Sequence, residues 1–253
     1  MSGSLPESKT FVAPSEQQLS MDREKKRSLT VSLMYRVMRL GSAIFGRTRM
    51  LRFSLNASRL FGRFAFEMSS EGYGERFHNL SMALSEDILK AHIPAGGTVV
   101  DVGCGQGRAC RMAAKYASCV VGIDYDEHLI RQAREATTDK NVEYIHGDVT
   151  ENVGAQKFDV AMLIHVIEHI DDADKILQSL AAVTKKLIVE VPDFQSDPLN
   201  VVRLEQLLPY YSDGDHVREY TESILIDQLT RNGWTILETR KNGGAVLVVA
   251  TAS

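Results

Sequence analysis

The sequence predicts an α/β fold built on a mostly parallel sheet covered on both faces by helices. Three observations lead there. From Ser81 onward, short apolar runs alternate with segments of helical periodicity. The first run, Val99-Val100-Asp101-Val102, enters a turn paved with Gly103, Gly105 and Gly107. The last two runs are joined through Asn242-Gly243, a hairpin signal.

Residues 1 to 28 are polar, with scattered apolar positions, and are expected to form a disordered tail. From Leu29 to Phe66 the composition turns apolar and arginine-rich, and Gly41 and Gly46 are expected to break it into two helices. In the second, Arg49, Arg52, Asn56, Arg59 and Arg63 recur at helical spacing and share a face. The order that follows is helix 81–91, strand 98–102, helix 106–117, strand 119–124, helix 127–137, strand 142–146, strand 158–164, helix 172–184 and strand 186–191. An irregular stretch from Pro192 to Tyr220 precedes helix 221–232 and strands 234–239 and 245–250. The domains read as a tail over 1–28, a basic helical extension over 29–71 and a catalytic body over 72–253.

Composition narrows the function classes. No apolar run reaches the roughly 18 residues of a membrane span, and no secretory h-region is visible near the start. Cys104, Cys110 and Cys119 lack C-x-x-C spacing, which points to reduced thiols and a cytoplasmic setting. The net charge of −4 hides an asymmetry: residues 1–66 carry 12 Lys or Arg against 4 Asp or Glu, leaving the body strongly acidic. An acidic body is a poor platform for a phosphate backbone, so nucleic acid is disfavoured as a partner. Three readings of the basic extension stay open: a cap on the body, an amphipathic surface giving peripheral membrane contact through 29–66, or a targeting segment.

A dinucleotide fingerprint, G-x-G-x-x-G, would need a third glycine where Arg108 stands. That weakens a nicotinamide reading. The pattern present is D-x-G-x-G-x-G over Asp101–Gly107, and it resembles the class I S-adenosylmethionine (SAM)-dependent methyltransferases. Further matches follow in order. Val120 to Ile123 ends in Asp124, at the spacing of a carboxylate meant for ribose hydroxyls. Val142 to Ile145 leads to Asp148, and Phe158 to Ile164 opens into His165-Val166-Ile167-Glu168-His169.

The resemblance covers residues 72 to 253 and implies a Rossmann-like, doubly wound seven-stranded sheet with an antiparallel last strand. It implies SAM as cofactor, with Asp101 and the glycine turn near the methionine end, Asp124 on the ribose and Asp148 on the adenine. The cofactor-binding set is then Asp101, Gly103, Cys104, Gly105, Gly107, Asp124, Tyr125, Asp148, Val149 and His165.

Methyl transfer is an in-line displacement, so candidate acid–base groups should lie in the loops beyond the strand ends. The run His165-x-x-Glu168-His169 has zinc-protease lettering, but it leaves a buried strand rather than sitting on a long helix. It is more similar to the segment of small-molecule O-methyltransferases, including the ubiquinone-pathway type, in which E-x-x-E-H can hold a divalent ion. His165 replaces the first glutamate, which argues against magnesium, and no metal is expected. The blander roles are a helix cap for Glu168 and a structural histidine for His169.

The segment Asp215-His216-Val217-Arg218-Glu219-Tyr220-Thr221 resembles the H-V-R-x-x-T segment of bacterial methyltransferases acting on sugars, lipid-linked glycans and other small acceptors. Asp215 or Glu219 could orient His216, and Thr221 has the character of a helix N-cap. The segment 193–216 is long for a loop and could serve as an acceptor lid. The catalytic candidates are His216 first, His169 second, and Glu168 beside them. The expected activity is O-methylation of a small-molecule or lipid-linked, sugar-like or quinone-like, acceptor. The alternatives are a catalytically silent interaction subunit and an N-, protein or RNA methyltransferase.

Overall fold

The computed structural model describes residues 29–74, 77, 80, 82–148, 156–211 and 213–253. The tail over 1–28 and Val149 lie outside the described residues. The chain divides into two compact units, Met1–Asn79 with Pro198–Tyr210, and Leu80–Asp197 with Tyr211–Ser253.

The first unit contains α1 (Leu29–Phe45), α2 (Arg47–Tyr73) and α7 (Leu199–Glu205). Gly46, at φ 87°, separates α1 from α2. Gly41 does not break α1, contrary to the sequence expectation. A lone glycine costs a helix only about 1 kcal/mol, and at Gly41 an added Cβ would already touch Met50 at 3.4 Å. Helix α7 is a second correction, because Pro192 to Tyr220 was expected to be irregular throughout. Among the described residues it holds α7 and a 3₁₀ turn, Phe194–Ser196. Arg203 closes α7 by bonding Asn200 Oδ1 at 2.9 Å, and its carbonyl accepts from Leu208 N–H. No described helix is long and apolar enough to cross a membrane.

The second unit is the sheet domain. In chain order it comprises α3 (Glu86–His92), β1 (Thr98–Val102), α4 (Arg108–Ala114), β2 (Cys119–Asp124), α5 (Glu127–Ala136), β3 (Val142–His146) and β4 (Phe158–Ile164). There follow α6 (Ala173–Val183), β5 (Thr184–Pro192), α8 (Glu222–Arg231), β6 (Trp234–Asn242) and β7 (Ala245–Ala252). The seven strands lie in the order β3-β2-β1-β4-β5-β7-β6. Neighbours from β3 to β5 pair in parallel, while β7 runs antiparallel to β5 and to β6. The Rossmann-like sheet with a reversed last strand is therefore present.

Strands β1, β2, β4, β5 and β7 are near-continuous apolar runs because each is covered on two faces. One core gathers Val100, Val102, Val121, Ile123, Leu163 and Val189 with α6 and α8. The other gathers Val99, Val120, Met162 and Ile188 with α3, α4 and α5. Strand alternation puts Asp101, Asp124 and Glu190 on this second face, near the carboxyl ends where parallel sheets receive ligands. Caps fix the helix starts: Asp126 Oδ1 accepts from His128 N–H at 2.8 Å and Leu129 N–H at 3.2 Å, and Thr221 Oγ1 accepts from Ile224 N–H at 3.3 Å.

Candidate active site

The glycine turn is held from below by β2. The N–H groups of Gly103 and Cys104 both donate to Ile123 O, at 2.8 and 3.1 Å, and Gly107 N–H donates back to Cys104 O at 2.9 Å. Gly107 sits at φ 74°, and a Cβ there would lie 2.1 Å from the Tyr144 hydroxyl, so only glycine fits. This left-handed residue also delays α4 to Arg108, two residues later than the sequence expectation. Gly105, at φ 52°, is the opposite case: nothing stands within 4 Å of its missing side chain. The backbone there is open to a ligand.

Two carboxylates serve this turn differently. Asp124, 6 % exposed, accepts from Gly105 N–H at 2.8 Å through Oδ2 and from Asp126 N–H at 2.9 Å through Oδ1. Each oxygen keeps a further lone pair for a hydroxyl. Asp101, 1 % exposed, accepts from the Cys110 thiol at 3.0 Å, and burial pushes its carboxyl up to about 7. Cys104 is buried beside them, Tyr125 is 82 % exposed, and Asp148 is exposed beyond the end of β3. An open glycine backbone beside the Asp124 carboxylate, whose oxygens can accept hydroxyls, fits the ribose and the methionine end of SAM.

The loop after β4 abuts the turn, because a Cβ on Gly103 would meet Val166 Cγ2 at 2.7 Å. His165 opens this loop at φ 56°, with its N–H on Glu190 O at 2.8 Å. Its Nε2 faces Glu190 Oε1 at 3.0 Å and its Nδ1 faces Glu168 Oε1 at 3.3 Å. Burial lowers its pKa, but the two carboxylates outweigh burial and raise it to about 9. Glu190 is fully buried and also accepts from Leu84 N–H. Sequence reading missed it, although a lone acid within Leu187-Ile188-Val189-Glu190-Val191 was the available signal.

Glu168 is fully buried, and its carboxylate oxygens make no hydrogen bond among the described residues. It does not cap α6, which begins at Ala173 behind Asp172. Its carbonyl accepts from Val217 N–H at 2.9 Å and Arg218 N–H at 3.3 Å, which brings the His216 segment over the loop. His169 and His216 then meet edge to face, with ring centroids 4.6 Å apart. Each has its own carboxylate: Asp215 Oδ2 is 3.1 Å from His169 Nδ1, and Glu219 Oε1 is 3.0 Å from His216 Nδ1. Of the two acids suggested for His216, Glu219 takes the part. Burial lowers the His216 pKa, but Glu219 overcomes this and holds it above the ordinary histidine value.

Donor atoms of Glu168, His169 and His216 lie within 4.8 Å of one another. Two imidazoles and one carboxylate do not suit magnesium, which demands hard oxygen ligands. His165 cannot restore the E-x-x-E-H pattern, since both of its ring nitrogens face carboxylates.

A parallel sheet with β7 alone reversed, carrying an open glycine turn at the tip of β1, defines the class I SAM-dependent methyltransferases. A methyltransferase-domain family profile matches residues 75–239, and the chain belongs to that family, with SAM as its cofactor. A ubiquinone biosynthesis O-methyltransferase of Coxiella burnetii is 28 % identical over 144 residues, which span 54 % of this chain and 61 % of the relative. Among solved structures, a SAM-dependent methyltransferase from Aquifex aeolicus matches with TM-score 0.53 and 20 % identity, covering 66 % of this chain and 89 % of that one. The magnesium protoporphyrin IX methyltransferase of Synechocystis PCC 6803, with bound S-adenosylhomocysteine, gives 0.51 and 20 %, covering 63 % and 75 %.

Proposed function

We propose that this enzyme O-methylates a small-molecule or lipid-linked acceptor, with quinone-like phenols the leading class and sugar hydroxyls the next. The single observation that carries this is the buried His216 ring, 5 % exposed, fixed by Glu219 at 3.0 Å beside Glu168 and His169. A hydroxyl acceptor must lose a proton as its oxygen attacks, and an oriented imidazole is suited to take it. The partial match to O-methyltransferases named for ubiquinone biosynthesis supports the same acceptor class. SAM supplies an electrophilic methyl group on a sulfonium.

The residues then divide the work. Asp124 holds the ribose hydroxyls, Asp148 faces the adenine, and the Gly103–Gly107 backbone with Asp101 borders the methionine end. His216 takes the acceptor proton at Nε2, because Nδ1 is committed to Glu219. His169, paired with Asp215, is the second candidate. Labelled SAM offered with a panel of catechols, hydroxyquinols, sugars and amines tests the reading. Label in the phenolic or sugar hydroxyls supports it; label confined to amines, or to protein or RNA, overturns it.

A further inference from the structure

We propose that helices α1 and α2 form a docking surface for an anionic lipid bilayer, lying in the plane of its headgroups. On α1, Leu33, Val37, Leu40 and Ile44 recur at steps of four, three and four, and each is 62–66 % exposed. On α2, Phe53, Leu60, Phe61 and Phe64 are 57–70 % exposed. Scattered exposed apolar residues are ordinary, but an exposed apolar set on each of two successive helices is not.

Charge identifies the occupant. Between residues 31 and 66 there are seven arginines and no acid. At 100° per residue on an ideal helix, Arg49, Arg52, Asn56 and Arg63 occupy the arc adjoining Phe53, Leu60 and Phe64. Cationic residues flanking an apolar stripe meet anionic headgroups and acyl chains together, which is how interfacial helices bind. A second copy of this chain fits less well, since self-pairing would bring one all-cationic surface against another. Nor does either helix cross the bilayer: arginines interrupt both, and neither is long and apolar enough.

The proposal stands independently of the acceptor and adds to the proposed function a place of work where a lipid-linked acceptor would be found. The test is flotation of the full chain with phosphatidylcholine vesicles, without and with about one third phosphatidylglycerol. The expected result is flotation on the anionic vesicles alone, falling as salt screens the arginines. Replacing Leu33, Val37, Phe53 and Phe64 by Ser, or Arg36, Arg39, Arg47 and Arg49 by Gln, should cut the bound fraction about tenfold or more. S-adenosylhomocysteine affinity should be unchanged in both variants, which also reports an intact sheet domain. Absence of flotation on anionic vesicles at low salt overturns the proposal. So does undiminished flotation of the Arg variant, or a solution dimer that the Ser variant dissolves. Should the Ser variant misfold, the wild-type dependence on lipid charge and salt, with the Arg variant, decides.

Discussion

The Asp124 carboxylate, at the tip of β2, accepts the N–H of Gly105 at 2.8 Å and so ties one strand end to the open point of the glycine turn. One side chain thereby shapes the turn and presents acceptors for a cofactor hydroxyl. Asp124→Ala is expected to orphan the N–H groups of Gly105 and Asp126, costing about 1–3 kcal/mol of stability. SAM affinity should fall about tenfold or more, measured by calorimetry, because a charged acceptor is lost. Unchanged affinity would remove Asp124 from the ribose site.

Two glycines of the same turn should respond differently. At Gly107 a Cβ collides with the Tyr144 hydroxyl, so Gly107→Ala is expected to lower the melting temperature sharply. Gly105→Ala meets nothing and pays only left-handed strain of about 1–2 kcal/mol, yet its methyl group enters the space assigned to the ligand. It should therefore fold and bind SAM poorly. Equal loss of fold in both variants would contradict this division.

Proton removal by His216 predicts a pH profile. Glu219 holds the imidazole pKa above its usual value, so the acidic limb of kcat should lie above pH about 6.5. Glu219→Gln should move that limb to lower pH, and His216→Asn should cost about a hundredfold in kcat with SAM affinity retained. A limb indifferent to Glu219→Gln assigns the proton to another group. The stability sign follows from the raised pKa: the pairing contributes fully below pH about 6.5 and fades as pH rises through the folded value.

Asp101 has the same sign, from a different cause: burial rather than an ion pair. Its folded pKa, about 7, exceeds the ordinary carboxyl value, so the native state holds a proton that the unfolded chain has released. Stability contributed by this group falls as pH rises from about 4 to 7. Asp101→Asn is expected to raise the melting temperature relative to wild type at pH 8, with the gap closing toward pH 4. Melting curves across that range check the sign, and a gap that widens on acidification would refute it.

Magnesium is expected to matter little. Chelated enzyme supplied with magnesium should turn over within roughly twofold of unsupplemented enzyme, because the donors after β4 are nitrogen-rich. Strong restoration by magnesium would reinstate a hard-ion site.

Much of this was legible in the sequence. The boundaries of β1, β2 and β4 could be read because buried parallel strands are near-continuous apolar runs. Helix α7 was hidden because seven residues are too few to display a period, and Gly41 misled because propensity yields to packing. At the site, the glycine turn and Asp124 carry local signals. Glu190 does not: its partner His165 lies 25 residues away, and only the β4–β5 pairing joins them. Likewise, spacing could not choose between Asp215 and Glu219 for His216, since the backbone path of the segment decides which acid reaches the ring.

The most direct measurement is a crystal structure with S-adenosylhomocysteine. The predicted result has the ribose hydroxyls within hydrogen-bond distance of Asp124, the amino acid end over Gly105, and the sulfur directed toward the His216 ring. A ligand seated elsewhere, or an Asp124 carboxylate turned away from the ribose, would contradict it.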